Sequence, residues 1–476
     1  MKERKASFLF SLCFFLLILK FFALQAETPK KEEELERGKV IPHLECLREK
    51  GKSYSLYLPS PYSFEREWPV IYAFDPWGRG VVPVELFREA AEKYGYIVIG
   101  SNDSRADSWK LNFQSLKSIW IDTNLRFRID ARRIYTAGFS WGVGVSTGFS
   151  YMLRRPVAGI IACSGGLPEW LEIKNLGSEA FYGIIAPKDI SSAELSELDE
   201  QLGSLGVSHR LKMIEGEPRW PPPQVLTEAV EWLEIQAMKR GKIKVDEDFL
   251  NSQIQKLREK ARLKEDSKDV PSAVKMVEAM ISDFEGLIDV SYLKEELEGL
   301  KKSPLYQSYL GKEKILKKNE KGFLVGWEGK WKRLIEVFEN PLERRKAVMA
   351  LGVDGLLRET KTKKDFLEVS FASRKLGRIF KDSFREASGA LQRNEPQRAL
   401  VFLRIAAAAS LEEPLVLYKL ACASALTGDK KGFLRTLRRA VEKGFQDAEI
   451  IENEEAFTSF REEPEFKMIL QKIKDG

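Results

Sequence analysis

Short apolar runs alternate with amphipathic segments through the first half of the chain, and this alternation constrains the fold more than any other feature. Each run has about the length of a strand, is rich in Val, Ile, Tyr and Phe, and is closed by Gly, Pro, Ser or Asp. Strands that alternate with helices build a parallel sheet whose two faces are both covered by helices. The first run precedes the strict alternation and is predicted to be an antiparallel edge strand. The runs are YSLYLPS (54–60), VIYAFDP (70–76), YIVIGSN (96–102), IYTAGFS (134–140), GIIACSG (159–165), FYGIIAP (181–187) and HRLKMIEG (209–216).

The pentapeptide GFSWG, Gly138–Gly142, places a serine between a predicted strand and a predicted helix. A residue on such a sharp turn is held in a strained backbone conformation, and its side chain points out of the sheet. The two glycines provide the room that the turn needs. The amide of Trp141, at the start of the helix, faces the same space and is the natural first donor to an oxyanion. The sequence therefore predicts Ser140 as a nucleophile, and a serine nucleophile needs a base, usually histidine.

In this context the sequence resembles the α/β-hydrolase family, near its esterase, dienelactone-hydrolase and polyester-depolymerase members. The resemblance covers residues 38–240 and rests on the element order together with WPVIYAFDPWGRG, SNDSRADSW, IYTAGFSWGVG, APKDI and EGEPRWPPPQVLTEAVEWL. It implies a mostly parallel, doubly wound sheet and a triad in the order serine, acid, histidine. By resemblance Asp189 is the acid, with a loop-capping role as the alternative. The resemblance also implies a second oxyanion donor in the loop 75–80, from Trp77 or Gly78.

The position at which this family carries its histidine holds a proline. Relatives read roughly Gly-Gly-His-x-Trp-Pro-Pro after the last strand, whereas residues 216–222 read GEPRWPP, so Pro218 stands in the histidine position. The chain has 2 histidines. His209 begins the last strand-like run, on the order of 15 Å of strand from the end at which Ser140 lies, whereas a base must come within about 3 Å. His43 precedes or opens the first strand, so we expect neither histidine to serve as the base.

Three other charged residues lie near the predicted triad. Lys188 could pair with the serine if it were buried and neutral, but the neighbouring Asp189 favours its charged form. Glu217 could accept a proton, but its basicity is low unless it is desolvated. Arg219 stays protonated and cannot act as a base. Lys188 and Glu217 remain open as alternatives, and the sequence predicts a hydrolase fold with impaired catalysis.

The predicted pocket lies at the carboxyl ends of the strands. Asn102, Asp103 and Arg105 follow one strand-like run and could either recognise a polar group of a substrate or cap a helix. Trp220 lies in the loop of the missing histidine and would line the pocket. The expected ligand is an ester or another small molecule. No metal-ligand spacing and no Gly-rich phosphate loop occurs, so we expect neither a metal nor an organic cofactor.

Charge and the N-terminus set the expected partners and compartment. The 77 basic and 71 acidic residues are interspersed, which argues against nucleic-acid binding. The charged MKERK and an apolar run of 12 residues predict a signal peptide over residues 1–26, with an uncleaved anchor as the alternative. The protein is then exported, periplasmic or secreted, and has no membrane span once the signal is removed. The three remaining cysteines, Cys46, Cys163 and Cys422, do not make a disulfide framework, and Cys163 is expected to be buried in a strand.

Strand signals vanish near residue 240, and the rest of the chain is predicted to be helical. Residues 241–380 should form several helices with breaks at DSKDVP, KSPL and ENPL. Residues 384–473 repeat their apolar positions at a period of 34 and resemble tetratricopeptide helical hairpins, which usually bind a protein or peptide partner. The alternative is that these helices only cap the first domain. The pairs that repeat are Ala399 with Phe433, Leu400 with Leu434, Leu403 with Leu437, and Ala406 with Ala440.

Three hypotheses follow for the function. The first is an exported, degenerate α/β-hydrolase domain fused to a helical domain that binds a partner. The second is an active serine esterase or related hydrolase with a non-standard base. The third is a scaffold that uses the helical half, with the hydrolase fold as its mount.

Overall fold

The computed structural model describes most of the chain. The described residues are 35–105, 109–168, 171–185, 198, 201–214, 219–363, 365–410, 413–445 and 447–475. The predicted signal peptide lies outside them, as do the predicted acid Asp189, Pro218 in the histidine position, and the two alternative bases Lys188 and Glu217.

The first half of the chain forms one sheet of eight strands. The strands are β1 (Val40–Glu45), β2 (Ser53–Tyr57), β3 (Trp68–Phe74), β4 (Ile97–Ser101), β5 (Ile129–Phe139), β6 (Gly159–Cys163), β7 (Ala180–Ile185) and β8 (Ser208–Met213). Their order across the sheet is β1-β2-β4-β3-β5-β6-β7-β8. Strand β2 is antiparallel to both of its neighbours, and all pairs from β4 onwards are parallel. All seven predicted strands are present.

One detail of the predicted sheet is wrong. The run YSLYLPS forms β2, which is antiparallel as predicted but does not lie at the edge, because β1 pairs with its outer side. Strand β1 is only partly buried and contains Pro42, which cannot donate to a ladder and is tolerated at a sheet edge. Its sequence VIPHLE therefore lacks the apolar run by which the other strands are recognised.

Helices cover both faces of the sheet. Alternate side chains of β3 enter opposite cores: Trp68, Val70 and Tyr72 lie on one face, and Ile71 and Ala73 on the other. The helices of this half are α1 (Val81–Tyr94), α2 (Trp109–Arg126), α3 (Trp141–Leu153) and α4 (Pro223–Lys239). Helices α2 and α3 cover the first face, and α1 and α4 cover the second. This strand order with helices on both faces is the α/β-hydrolase fold, so the predicted fold class is confirmed.

The second half of the chain is helical, as predicted. The three predicted breaks fall between successive helices, and prolines occupy the first turns after them, where their missing N–H costs nothing. The helices are α5 (Glu247–Asp266), α6 (Val270–Phe284), α7 (Ser291–Lys302), α8 (Pro304–Glu336), α9 (Pro341–Ala350), α10 (Val353–Thr362), α11 (Phe366–Gln392), α12 (Pro396–Ala409), α13 (Pro414–Leu426), α14 (Lys430–Glu442), α15 (Ala448–Asn453) and α16 (Pro464–Asp475).

The helices divide into two packed groups. Helices α5 to α7 share a core with Ile235 and Met238 of α4, and so extend the hydrolase half. Helices α8 to α16 form a second core of their own, which we call the helical domain. Helix α11 is continuous across residues 380–384, where the sequence suggested a boundary between segments.

The predicted repeat positions occupy equivalent places in this domain. Helices α12 and α14 carry the paired positions, and the first, third and fourth pairs are almost fully buried on both helices. Helices α11 and α12 pack together, and α13 packs with α14, as successive hairpins. The likeness of these hairpins to tetratricopeptide repeats stays a prediction. Within the described residues, no helix combines the length and the apolar character that crossing a bilayer requires.

A buried carboxylate joins the hydrolase sheet to the α5–α7 group. Asp283 of α6 accepts hydrogen bonds from Trp232 Nε1 at 2.7 Å and Gln236 Nε2 at 2.9 Å, both on α4. It also forms an ion pair with Arg210 of β8. Burial raises the pKa of the Asp283 carboxyl above its ordinary value, and Arg210 opposes that shift.

We expect Asp283→Ala to lower the free energy of unfolding by about 3 kcal/mol, because it removes the carboxylate partner of the largely buried Arg210. Asp289→Ala, at an exposed carboxylate that caps only Ser291, should change it by less than about 0.5 kcal/mol. Urea unfolding followed by circular dichroism measures both. Equal destabilisation by the two variants would contradict the role given to Asp283.

Candidate active site around Ser140

Ser140 occupies a strained turn at the carboxyl end of the sheet. It joins β5 to α3 with φ 50° and ψ −121°, which is a region that side chains other than glycine rarely adopt. Its amide donates to the carbonyl of Cys163 at 2.9 Å, and its carbonyl accepts from Val143 N at 3.0 Å. Within the described part of the chain, no hydrogen bond involves Ser140 Oγ, and the residue is half-buried. The turn is therefore the one expected of a serine nucleophile.

The glycines beside Ser140 are required by close backbone contacts. A Cβ at Gly138 would lie 2.2 Å from the carbonyl oxygen of Gly142, and a Cβ at Gly142 would lie 2.0 Å from that of Phe74. A Cβ at Gly165, after β6, would lie 2.2 Å from the carbonyl oxygen of Ser140. The ends of β3, β5 and β6 thus approach one another too closely for any side chain at these positions.

Neither histidine of the chain can reach Ser140, and both lie within the described residues. The register places His209 beside Phe181, Phe181 beside Ile160, and Ile160 beside Thr136 of β5. His209 therefore lies three strands away and level with a residue four positions before Ser140, which at about 4.8 Å per strand and 3.3 Å per residue gives roughly 19 Å. His43 lies on β1, four strands from β5, or about 19 Å sideways.

The loop after β3 is held by the carboxylate of Asp75. This side chain is fully buried and accepts hydrogen bonds from Trp77 N at 2.9 Å, Arg79 Nε at 3.0 Å and Trp220 Nε1 at 2.9 Å. The amide of Gly78 donates to the carbonyl of the same aspartate at 3.2 Å. The predicted second oxyanion donors, Trp77 and Gly78, thus both have their amides bonded inside the loop. In this conformation the amide of Trp141 is the only one of the three predicted donors without such a bond in the described structure.

The residues predicted to bind a substrate have hydrogen-bond partners within the chain. Asn102 accepts from Ser55 Oγ at 2.9 Å and ties the end of β4 to β2. Asp103 accepts from Ser53 N at 2.8 Å and lies 3.8 Å from Lys52 Nζ. Trp220, which is buried, donates to Asp75 and packs on Phe139 with ring centroids 5.9 Å apart.

Arg105 contacts the helical domain. Its Nε lies 3.2 Å from Asp447 Oδ2, and its Nη2 lies 3.6 Å from Glu449 Oε2. Asp447 also caps the N-terminus of α15 by accepting from Ile450 N at 3.0 Å. The guanidinium therefore has two carboxylate partners within its own chain.

The aromatic side chains beside Ser140 also pack against the helical domain. The ring of Trp77 lies 4.5 Å from that of Phe445, which stacks on Tyr418 at 4.5 Å. The ring of Trp141 lies 5.4 Å from that of Phe384. Trp77, although it belongs to the loop after β3, is part of the core of the helical domain. No sequence pattern indicates these contacts, because they join segments far apart in the chain.

The groups near the turn that the structure describes offer no substitute nucleophile and no metal site. Burial raises the pKa of the Cys163 thiol, so the thiolate that could act as a nucleophile is disfavoured. No cluster of residues suited to a metal ion occurs in the described structure. A cavity of about 20 Å³ lies between α4 and α5, lined by Trp232, Gln253 and Lys256 among others, which is room for a single water and is remote from Ser140.

No protein-family model matches the chain, and no curated protein is significantly similar to it in sequence. Among solved structures, a thermostable esterase is 17% identical with a TM-score of 0.32, and the match covers 41% of this chain and 62% of that one, less than two thirds of its length. A ferulic acid esterase is 15% identical with a TM-score of 0.35, over 41% of this chain and 97% of that one. An esterase from the archaeon Pyrobaculum calidifontis is 15% identical with a TM-score of 0.33, over 43% and 85%. The strand order and the turn at Ser140 establish the fold without these low scores.

We expect Gly142→Ala to destabilise the protein by at least about 2 kcal/mol, because the added methyl group would meet the carbonyl oxygen of Phe74. Gly355→Ala in α10 is the matched control, since nothing lies within 4 Å of the added methyl group. It should be neutral or stabilise the helix by up to about 1 kcal/mol. Thermal unfolding compares the two, and a neutral Gly142→Ala would contradict the close approach of β3 and α3.

Proposed function

We propose that the first half of the chain is a hydrolase-fold domain that has lost efficient catalysis and that carries the helical domain on its former active-site face. One observation carries the proposal: Ser140 stands on the turn of a serine nucleophile, while both histidines of the chain lie roughly 19 Å from it. A serine hydroxyl is a weak nucleophile unless a base within hydrogen-bond reach takes its proton.

The loop after β3 supports the same proposal. Stabilisation of an oxyanion by preorganised amides is a large share of catalysis in this class, and the loss of one donor costs about 10²-fold or more in rate. Asp75 binds the amide of Trp77 through its carboxylate and that of Gly78 through its carbonyl. An oxyanion at Ser140 would then have the amide of Trp141 and no second amide from this loop.

The position of the helical domain supports the role of the first half as a mount. In the sequence-based interpretation, the pocket is bordered by the loop of Trp77, the amide of Trp141 and Arg105. The side chains of these three residues contact the helical domain. A pocket whose lining residues are packed against another domain has little room for a substrate. In this proposal the first half orients the helical repeats, and the repeats bind a protein or peptide partner outside the cell after removal of residues 1–26.

A second candidate function is an active serine hydrolase with a non-standard base. It is favoured by the strained conformation of Ser140, since φ 50° costs on the order of 1–3 kcal/mol and a glycine there would avoid that cost. The segments with Lys188 and Glu217 carry the alternative bases that the sequence left open. The two candidates differ in the rate of Ser140-dependent turnover.

Labelling with a fluorophosphonate probe and hydrolysis of short p-nitrophenyl esters separate the two candidates. With a chain that starts at residue 27, we expect turnover within about tenfold of that of Ser140→Ala, because loss of the triad base removes about 10⁴-fold or more of the rate. Pro218→His, which puts an imidazole in the family position, should increase labelling of Ser140. Ser140-dependent turnover of the parent chain at about 1 s⁻¹ or faster would establish the second candidate instead.

The variant Arg105→Glu tests whether the hydrolase half holds the helical domain in place. It places a carboxylate against Asp447 and Glu449, so we expect it to destabilise the protein by roughly 2 kcal/mol and to increase hydrogen exchange in α15. Arg88→Glu, at an exposed arginine of α1 that pairs with Glu85, makes the same charge change and should leave α15 unaffected. If both variants leave α15 equally protected, the contact does not hold the helical domain in place.

A further inference from the structure

Helix α8 packs along one side and leaves its other side open. It has 33 residues and spans about 50 Å, yet its fully buried residues are Trp327 and Leu334, both near its C-terminal end. Towards its N-terminal end, half-buried residues at helical spacing, such as Tyr309, Leu316 and Phe323, face α6, α7 and α11. The opposite side faces solvent along several turns of the helix.

Along residues 310–325 the open side carries lysines and aliphatic residues, and the exposed Glu328 follows one turn later. We call it the lysine face and define it as Leu310, Lys314, Ile315, Lys317, Lys318, Lys321, Leu324 and Val325, all of them exposed. Ile315 is 62% exposed and Val325 is 72% exposed. The acidic residues of the same stretch, Glu313 and Glu320, are half-buried, and Glu320 is bound by Arg374 of α11. The face spans about 22 Å along the helix.

The positive charge of this face is largely uncompensated. Lys317 lies 3.6 Å from Glu313, one turn earlier. In the described structure, no ion pair involves Lys314, Lys318 or Lys321. The chain as a whole interleaves 77 basic with 71 acidic residues, so a stretch with four exposed lysines and no exposed carboxylate is a local feature.

We propose that the lysine face is a docking surface for an anionic phospholipid bilayer. A helix that lies flat on a membrane needs aliphatic side chains that enter the boundary of the acyl chains and lysines whose ammonium groups meet the anionic headgroups. Each lysine near such a surface contributes to the attraction, which falls off within a Debye length. The interleaving of both residue types on one open side of α8 matches these two requirements.

Three other occupants fit the face less well. A second copy of the chain would bring Lys314, Lys318 and Lys321 against the same lysines, and like charges oppose that contact. Lysines bind the phosphates of nucleic acid, but bases are read by arginines and stacked on aromatic rings, and the face has neither. An acidic protein partner would complement the charges of the lysines, but its binding would not require four exposed aliphatic side chains on this face.

Flotation with lipid vesicles tests the proposal. A chain that starts at residue 27 keeps every described residue and lacks the apolar N-terminal run, which would itself bind lipid. We expect it to float with vesicles that contain phosphatidylglycerol, to stay unbound with phosphatidylcholine alone, and to be released by high salt. Lys314→Glu/Lys318→Glu/Lys321→Glu should lower the partition coefficient at least about tenfold.

Two further variants make the result specific. Lys117→Glu/Lys431→Glu/Lys472→Glu changes the net charge equally at exposed lysines of α2, α14 and α16, and should bind nearly as the parent does. Leu324→Ser/Val325→Ser keeps the charge and should weaken binding several-fold, because it removes the aliphatic contribution. Circular dichroism verifies that each variant is folded.

Several outcomes would overturn the proposal. These are absence of binding to anionic vesicles, equal binding to neutral and anionic vesicles, and equal loss in the two lysine variants. If Leu324→Ser/Val325→Ser binds vesicles as strongly as the parent chain, and the parent chain binds a polyanion such as heparin equally well, the face binds an acidic macromolecule instead. None of these results depends on whether Ser140 is catalytic.

Discussion

The carboxylate of Asp75 is the interaction on which the arrangement around Ser140 depends. It is completely buried, and its cost of burial is offset by hydrogen bonds from Trp77, Arg79 and Trp220. These bonds fix the loop after β3 against the loop that precedes α4. They also turn the indole of Trp77 outward, where it enters the core of the helical domain. Asp75 thus binds the amides of the predicted oxyanion loop and holds the loop from which Trp77 packs into the helical domain.

The sheet was predictable because its signals are local. Each parallel strand is buried on both faces and is therefore a short, nearly continuous apolar run, which is visible without knowledge of its neighbours. The helix breaks at prolines and the glycines around Ser140 are local in the same sense. Strand β1 was not among the predicted strands, because a half-exposed edge strand with a proline has no continuous apolar run. The runs do not indicate which strands pair, so the order of the strands across the sheet comes from the structure.

The contacts of the site were not predictable, because they depend on segments that meet only in the folded chain. Arg105 follows a strand end, where a substrate-binding arginine is expected, and nothing near it in sequence indicates that Asp447 and Glu449 neutralise it. Nothing near Phe384 or Phe445 in the sequence indicates that these residues contact Trp141 and Trp77, because aromatic residues commonly occupy core positions of helical repeats. The prediction that Pro218 stands in the histidine position needs only the frame of one loop, and that residue lies outside the described residues.

The retained turn at Ser140 has two separable causes. The glycines at 138, 142 and 165 are required by the approach of the ends of β3, β5 and β6, so packing preserves them whether or not the protein is an enzyme. Packing does not explain the serine, since a glycine at φ 50° would remove the strain and keep the hydrogen bonds of the backbone. The side chain at 140 therefore bears on function in a way that the surrounding motif does not. A role for the Ser140 hydroxyl in binding, rather than in proton transfer, is compatible with both its partial exposure and the distant histidines.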